Sequence, residues 1–123
     1  MVRYRLAAAA RTDLVDILAW THGRFGEAAR MRYEVLVVAA LRDISTNPDR
    51  AGSIARPEIG EGVRTWHLRL SREHGRTDTG IVRRPRHFLL YRLENELVVI
   101  GRVLHDAMAL EQQLDTDESW DQP

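Results

Sequence analysis

The chain has 123 residues, 44% of them hydrophobic and 29% charged, which suffices for one hydrophobic core and is too little for two. It has no cysteine, which excludes a disulfide framework, a thiolate metal site and a cysteine nucleophile. Its 18 basic and 18 acidic residues cancel, but Glu111, Asp115, Asp117, Glu118 and Asp121 all follow the last basic residue, Arg102, so residues 1–110 carry 18 basic against 13 acidic groups.

Every one of those basic residues is arginine. Arginine suits bidentate recognition of phosphate and carboxylate, although a lysine-free chain is as readily a product of GC-rich codon bias. The longest apolar stretch, Val35 to Leu41, falls far short of the roughly 20 residues that span a bilayer. The first residues show no signal-peptide pattern, so the expected location is the cytoplasm.

Val2, Tyr4 and Leu6 alternate with Arg3 and Arg5, which predicts a short strand. From Ala8 to about His22, Ala10, Leu14, Ile17 and Leu18 keep helical spacing, and Phe25 is expected to pack between Gly23 and Gly26 at the break that follows. Glu27 starts a second helix with the charge that the macrodipole favours at that end. Tyr33, Leu36, Val37, Ala40, Leu41 and Ile44 form its apolar stripe, and Asn47-Pro48 stops it. Two helices joined so closely predict an antiparallel hairpin laid on one face of a sheet.

Residues 49–62, with Gly52, Pro57, Gly60 and Gly62, read as a connector. Val63 to Leu70 alternates, with Trp66, Leu68 and Leu70 on the apolar side and Thr65, His67 and Arg69 on the polar side, which predicts a second strand. Residues 71–86 then hold Arg72, Arg76, Arg83, Arg84 and Arg86 against only Glu73 and Asp78. This is the densest basic cluster, an extended arm or a loop too long to be a mere connection in so small a domain.

His87 to His105 is two apolar runs separated by Glu94, Asn95 and Glu96, which is a β-hairpin. In its second run Leu97, Val99 and Val103 share one parity and Val98, Ile100 and Leu104 the other, so both faces are expected to be covered and the strand to be interior. Arg92 and Arg102 interrupt these runs and need the rim, a carboxylate or a ligand. A short helix carrying Met108, Leu110 and Leu114 and an acidic, disordered tail at 115–123 complete the expected chain. The fold class is α+β: a small twisted antiparallel sheet in the order β-α-α-β-β-β, with the helical hairpin on one face, in a single domain 1–114.

Phe88-Leu89-Leu90-Tyr91-Arg92, the run from Ile100 through Arg102, His105 and Asp106 to Met108, the Asn47-Pro48 stop and the Val63-Arg64 start together resemble the RelE/ParE superfamily of bacterial toxin-antitoxin toxins. The ParE branch is the nearer of its two. The resemblance runs from about Tyr4 to Leu114, and 71–86 departs from it. It implies a toxin that poisons DNA gyrase as a binder, without cofactor, metal or catalytic group. A cognate ParD-like, ribbon-helix-helix antitoxin would neutralise it in a hetero-oligomer, and the toxin would reach operator DNA only through that antitoxin.

The resemblance implies antitoxin contacts at Arg64, Trp66, Tyr91, Arg92, Arg102 and His105, with the basic cluster Arg72, Arg76, Arg83, Arg84 and Arg86 left for the target. The alternative is the ribosome-dependent mRNA endonuclease of the RelE branch, whose catalytic positions fall here on Phe88, Asp106 and Gln112. An aspartate would repel the charge that develops on phosphorus, so such an activity needs a relocated set such as Arg83, Arg86, Arg102 and His105. A degenerate toxin kept only as a binding module is a third possibility.

Each of these residues has a plainer role as well. His105 at a strand end is more often a cap for backbone groups than a general base. His67, His74 and His87 have no familiar ligand spacing. Arg64, Arg92 and Arg102 either line a concave sheet face or pair internally with Glu94, Glu96 or Asp106, and Tyr91 and Trp66 have the character of core residues.

Overall fold

The computed structural model describes residues 3–107. Strand β1 (Arg3–Leu6) leads into helix α1 (Ala8–Phe25), and Gly26 turns the chain into helix α2 (Glu27–Thr46). Gly26 has φ 94°, and its N–H donates to the His22 carbonyl, so one glycine both ends α1 and starts α2. The expected stop at Asn47 holds.

Strands β2 (Ile54–Ala55), β3 (Val63–His67), β4 (His87–Glu94) and β5 (Leu97–His105) complete a five-stranded sheet in the order β1-β5-β4-β3-β2. The α+β class stands, with two differences. The connector contributes the two-residue edge strand β2, and β1 pairs parallel with β5, so the sheet is mixed rather than antiparallel. The parallel pairing follows from the helical hairpin, which carries the chain across one face before the sheet continues.

The six stripe residues of α2 are all buried, and they meet Trp66, Leu89, Tyr91, Val98, Ile100 and Val103 of the sheet. On the opposite face Val63, Leu90 and Val99 pack under Ile59 of the connector and Leu97, so β5 is covered on both sides and is interior as expected. The turn of the β4–β5 hairpin is Asn95-Glu96, both at positive φ, the tight primed geometry that suits strand twist.

Parity along β5 differs from the sequence expectation. Tyr91 pairs with Ile100 but Leu90 with Arg102, so Gly101 is the extra residue of a β-bulge, and every side chain beyond it changes face. Val103 therefore joins Val98 and Ile100 under the helices, and Leu104 takes the other face. β3 is also shorter than expected: after His67 the chain makes a 3-10 turn, Leu68–Ser71, which leaves Leu70 39% exposed and Thr65 buried. Phe25 does not pack between its glycines but stands 64% exposed at the hairpin tip. The expected C-terminal helix and acidic tail lie outside the described residues.

Candidate functional site

The 71–86 segment is not an extended arm. It folds back on α2 as a series of turns, with Arg32 donating to the Thr79 hydroxyl at 3.1 Å, Val82 against the core and Thr77 bridged to Gly80. Gly75 lies so close to Leu36 that an added Cβ would stand 2.9 Å from its backbone Cα, which is why that position has no side chain. The loop and the tip of the helical hairpin enclose an open groove of about 980 Å³. Phe25, Ala29 and Val82 give it apolar surface, while Arg32, Arg72, Arg76, Arg83 and Arg84 face it with Glu73 as the one carboxylate.

Four of the five arginines chosen from sequence as target contacts thus line one groove. The fifth, Arg86, leaves it. Its guanidinium binds the Asp106 carboxylate at 2.9 and 3.0 Å, and its carbonyl accepts from the Asp106 N–H at 2.9 Å. Hydrogen bonding to Asp106 raises the guanidinium pKa further.

Asp106 is the hub of a second cluster. Its other carboxylate oxygen lies 2.9 Å from His67 Nε2, and His105 Nδ1 is 3.8 Å away and accepts the Ala107 N–H. Burial alone would raise the carboxyl, but the bonds from Arg86 and His67 outweigh it and hold the pKa at about 2. The His105 ring meets His87 edge to face at 5.2 Å, and His87 Nδ1 lies 2.6 Å from the Tyr33 hydroxyl. Burial, with help from nearby His105, pushes the His87 pKa down to about 4, so at neutral pH its ring is uncharged and shares a single proton-mediated hydrogen bond with the Tyr33 hydroxyl. Burial pushes the Tyr33 phenol up to about 12. Tyr33 is read from sequence only as an apolar stripe residue; its polar end, pointing from α2 to the strand termini, carries no periodic signal.

The arginines placed in the antitoxin set from sequence do not share one sheet face. Arg64 is opposite Tyr91, and Arg92, one residue on, is opposite Val63, so the two point to opposite sides. Arg64 Nε donates to Ser53 Oγ at 2.7 Å, Ser53 to the Tyr91 oxygen at 2.5 Å, and Tyr91 to the Pro48 carbonyl at 2.5 Å. This relay ties the connector to the sheet and accounts for a phenol on a fully buried ring. Trp66 is buried too, its indole donating to Ser71 Oγ, which donates to Asp43. In this fold Trp66 and Tyr91 are therefore buried supports of the sheet.

Arg92 pairs with Glu94, one of the internal partners anticipated from sequence. Arg102 instead grips Asp13 of α1 with Nε at 2.7 Å and Nη2 at 3.0 Å, and the Val103 N–H donates to the same carboxylate at 2.9 Å. β1 covers β5 only as far as Ile100, so Asp13 serves the edge where that neighbour ends. A contact 89 residues apart in sequence leaves no local signal. Among the described residues no three histidine, aspartate or glutamate side chains are arranged to hold a metal, and no helix is long and apolar enough to cross a membrane.

A mixed five-stranded sheet crossed on one face by a helical hairpin is consistent with the fold of the RelE/ParE superfamily toxins. Residues 4–110 match the family described as the ParE toxin of the type II toxin-antitoxin system parDE, and the chain belongs to that family. The fold is similar to a chain of the RelBE2 toxin-antitoxin complex of Mycobacterium tuberculosis, with a TM-score of 0.51 and 27% identity over 85% of this chain and 96% of that one. No curated protein matches in sequence.

Proposed function

We propose that this family member acts as a binder that inhibits DNA gyrase, with the arginine groove as its contact surface, and that it is not a nuclease. The observation that carries this reading is Asp106. An ionised carboxylate stands at the centre of the histidine cluster and already occupies Arg86, the nearest guanidinium. A phosphorane formed there would meet a fixed negative charge instead of a cation waiting to stabilise it. A cognate ribbon-helix-helix antitoxin neutralises the toxin in a cytoplasmic hetero-oligomer and carries it to operator DNA. Of the antitoxin contacts chosen from sequence, the partly exposed Arg64, Arg92, Arg102 and His105 remain within reach of such a partner.

The convergence of His67, His87, His105 and Tyr33 favours one second reading, a ribosome-dependent mRNA endonuclease with general acid and base groups in new positions. Induced expression in a bacterium separates the two. The gyrase reading expects filamentation and the DNA-damage response while messenger RNA stays full length. Primer-extension cuts within codons that appear on induction and vanish in His105→Ala would replace it with the nuclease reading.

A further inference from the structure

We infer that the arginine groove binds the chain's own acidic C-terminal segment, residues 111–121, as an intramolecular occupant that competes with the target. This goes beyond the gyrase reading and does not depend on which target the toxin takes. The first support is charge. Five arginines against Glu73 leave four positive charges along the groove, and among the described residues neither Arg83 nor Arg84 has a carboxylate within ion-pair distance. Residues 111–121 hold Glu111, Asp115, Asp117, Glu118 and Asp121 with no basic residue among them. It is the one long acidic stretch in the sequence.

The second support is where the chain leaves the described fold. Asp106 is hydrogen-bonded through its backbone to Arg86 and ion-paired with the Arg86 side chain, and Arg86 is two residues from Arg84 on the groove rim. The segment that follows Ala107 therefore departs beside the basic loop. Asp115 lies eight residues beyond that point, so it stands within at most about 28 Å of it whatever the chain's conformation, against about 7 Å of backbone between Arg86 and Arg84. A tether this short keeps the acidic residues within reach of the arginines and makes their encounter intramolecular.

The third is chemistry beyond charge. The groove combines its arginines with apolar surface at Phe25, Ala29 and Val82, and the acidic segment carries Trp120 among its carboxylates. An indole is suited both to that surface and to stacking beneath a guanidinium.

The absence of cysteine allows a clean test on the full chain. A nitroxide attached to the Ser119→Cys variant should broaden the amide resonances of Gly80, Ile81, Val82 and Ala29 at 50 mM salt, in an isotope-labelled sample. Broadening at those amides should fall at least fivefold at 500 mM salt. The same loss is expected when Asp115, Asp117, Glu118 and Asp121 are changed together to Asn, Asn, Gln and Asn. Absence of broadening at the groove, or broadening indifferent to the four substitutions, would overturn the proposal. Broadening that appears on isotope-labelled, untagged chain mixed with tagged, unlabelled chain would overturn it too, because the occupant would then be the tail of a second copy.

Discussion

Asp13→Ala should be among the most damaging single changes outside the apolar core. The substitution removes three hydrogen bonds, two from the Arg102 fork and one from the Val103 N–H, at a point where β5 has lost its β1 neighbour. Both side chains are mostly buried, at 21% and 16% exposure for Arg102 and Asp13. Removing one partner of a well-buried pair costs about 3–5 kcal/mol, and the exposed fifth of Arg102 favours the lower end, about 3 kcal/mol. Asp13→Asn keeps an acceptor for the Val103 N–H and loses the charge, so about 1.5 kcal/mol is expected. Urea denaturation with an unchanged slope would read the alanine loss as a midpoint lower by about 1–2 M. Pairing Asp13→Ala with Arg102→Met should recover at least about 1 kcal/mol relative to the sum of the two single changes. If alanine costs under about 1 kcal/mol, or no more than asparagine, water replaces the carboxylate and Asp13 does not secure the strand edge.

His87 makes stability depend on pH: its folded pKa, about 4, lies below the ordinary 6.5, so the unfolded chain binds the proton first and stability is lost as pH falls from about 6.5 towards 4. For this partly buried ring the loss between pH 7.5 and 5 is about 1–2 kcal/mol, and thermal denaturation should find that part of the pH dependence absent in His87→Gln; an unchanged slope would place it elsewhere. Gly75→Ala should push the basic loop off α2, because its Cβ would meet the Leu36 backbone at 2.9 Å. Trypsin cleavage after Arg76 or Arg83 should then rise about tenfold, the effect of 1.4 kcal/mol of local opening. An unchanged cleavage rate would mean that α2 yields and the loop does not.

What was legible in the sequence follows physical range. The α2 stripe, the Asn47 stop and the β4–β5 hairpin were readable because burial imposes a period over many residues. The parity of β5 after Gly101 was not, since a bulge resets the alternation with a single residue and Gly101 was its one trace. The basic loop was legible as composition, and the groove was not, because its second wall is the tip of the helical hairpin. Asp106 stood out only as a misfit against the family pattern; that it gathers Arg86 and His67 depends on strand pairing across the sheet.

The arginines divide by how their charge is met within the fold, and the division bears on where a partner gains most. In the sheet, Arg92 is held by Glu94, Arg102 by Asp13 and Arg64 by Ser53. A partner that recruits one of these must first break an internal bond, so its net gain is the difference between two similar interactions. Among the described residues the guanidinium of Arg72 donates to a backbone carbonyl and that of Arg32 to a hydroxyl, and none of Arg32, Arg72, Arg83 and Arg84 has a carboxylate within ion-pair distance. A carboxylate or phosphate arriving at these four arginines adds its attraction to such bonds without displacing an ion pair, unlike one arriving at Arg76, which Glu73 already holds at 2.8 Å. Electrostatic recognition is therefore expected to be strongest on the loop and the hairpin tip, and the sheet arginines serve first to hold the strands that position them.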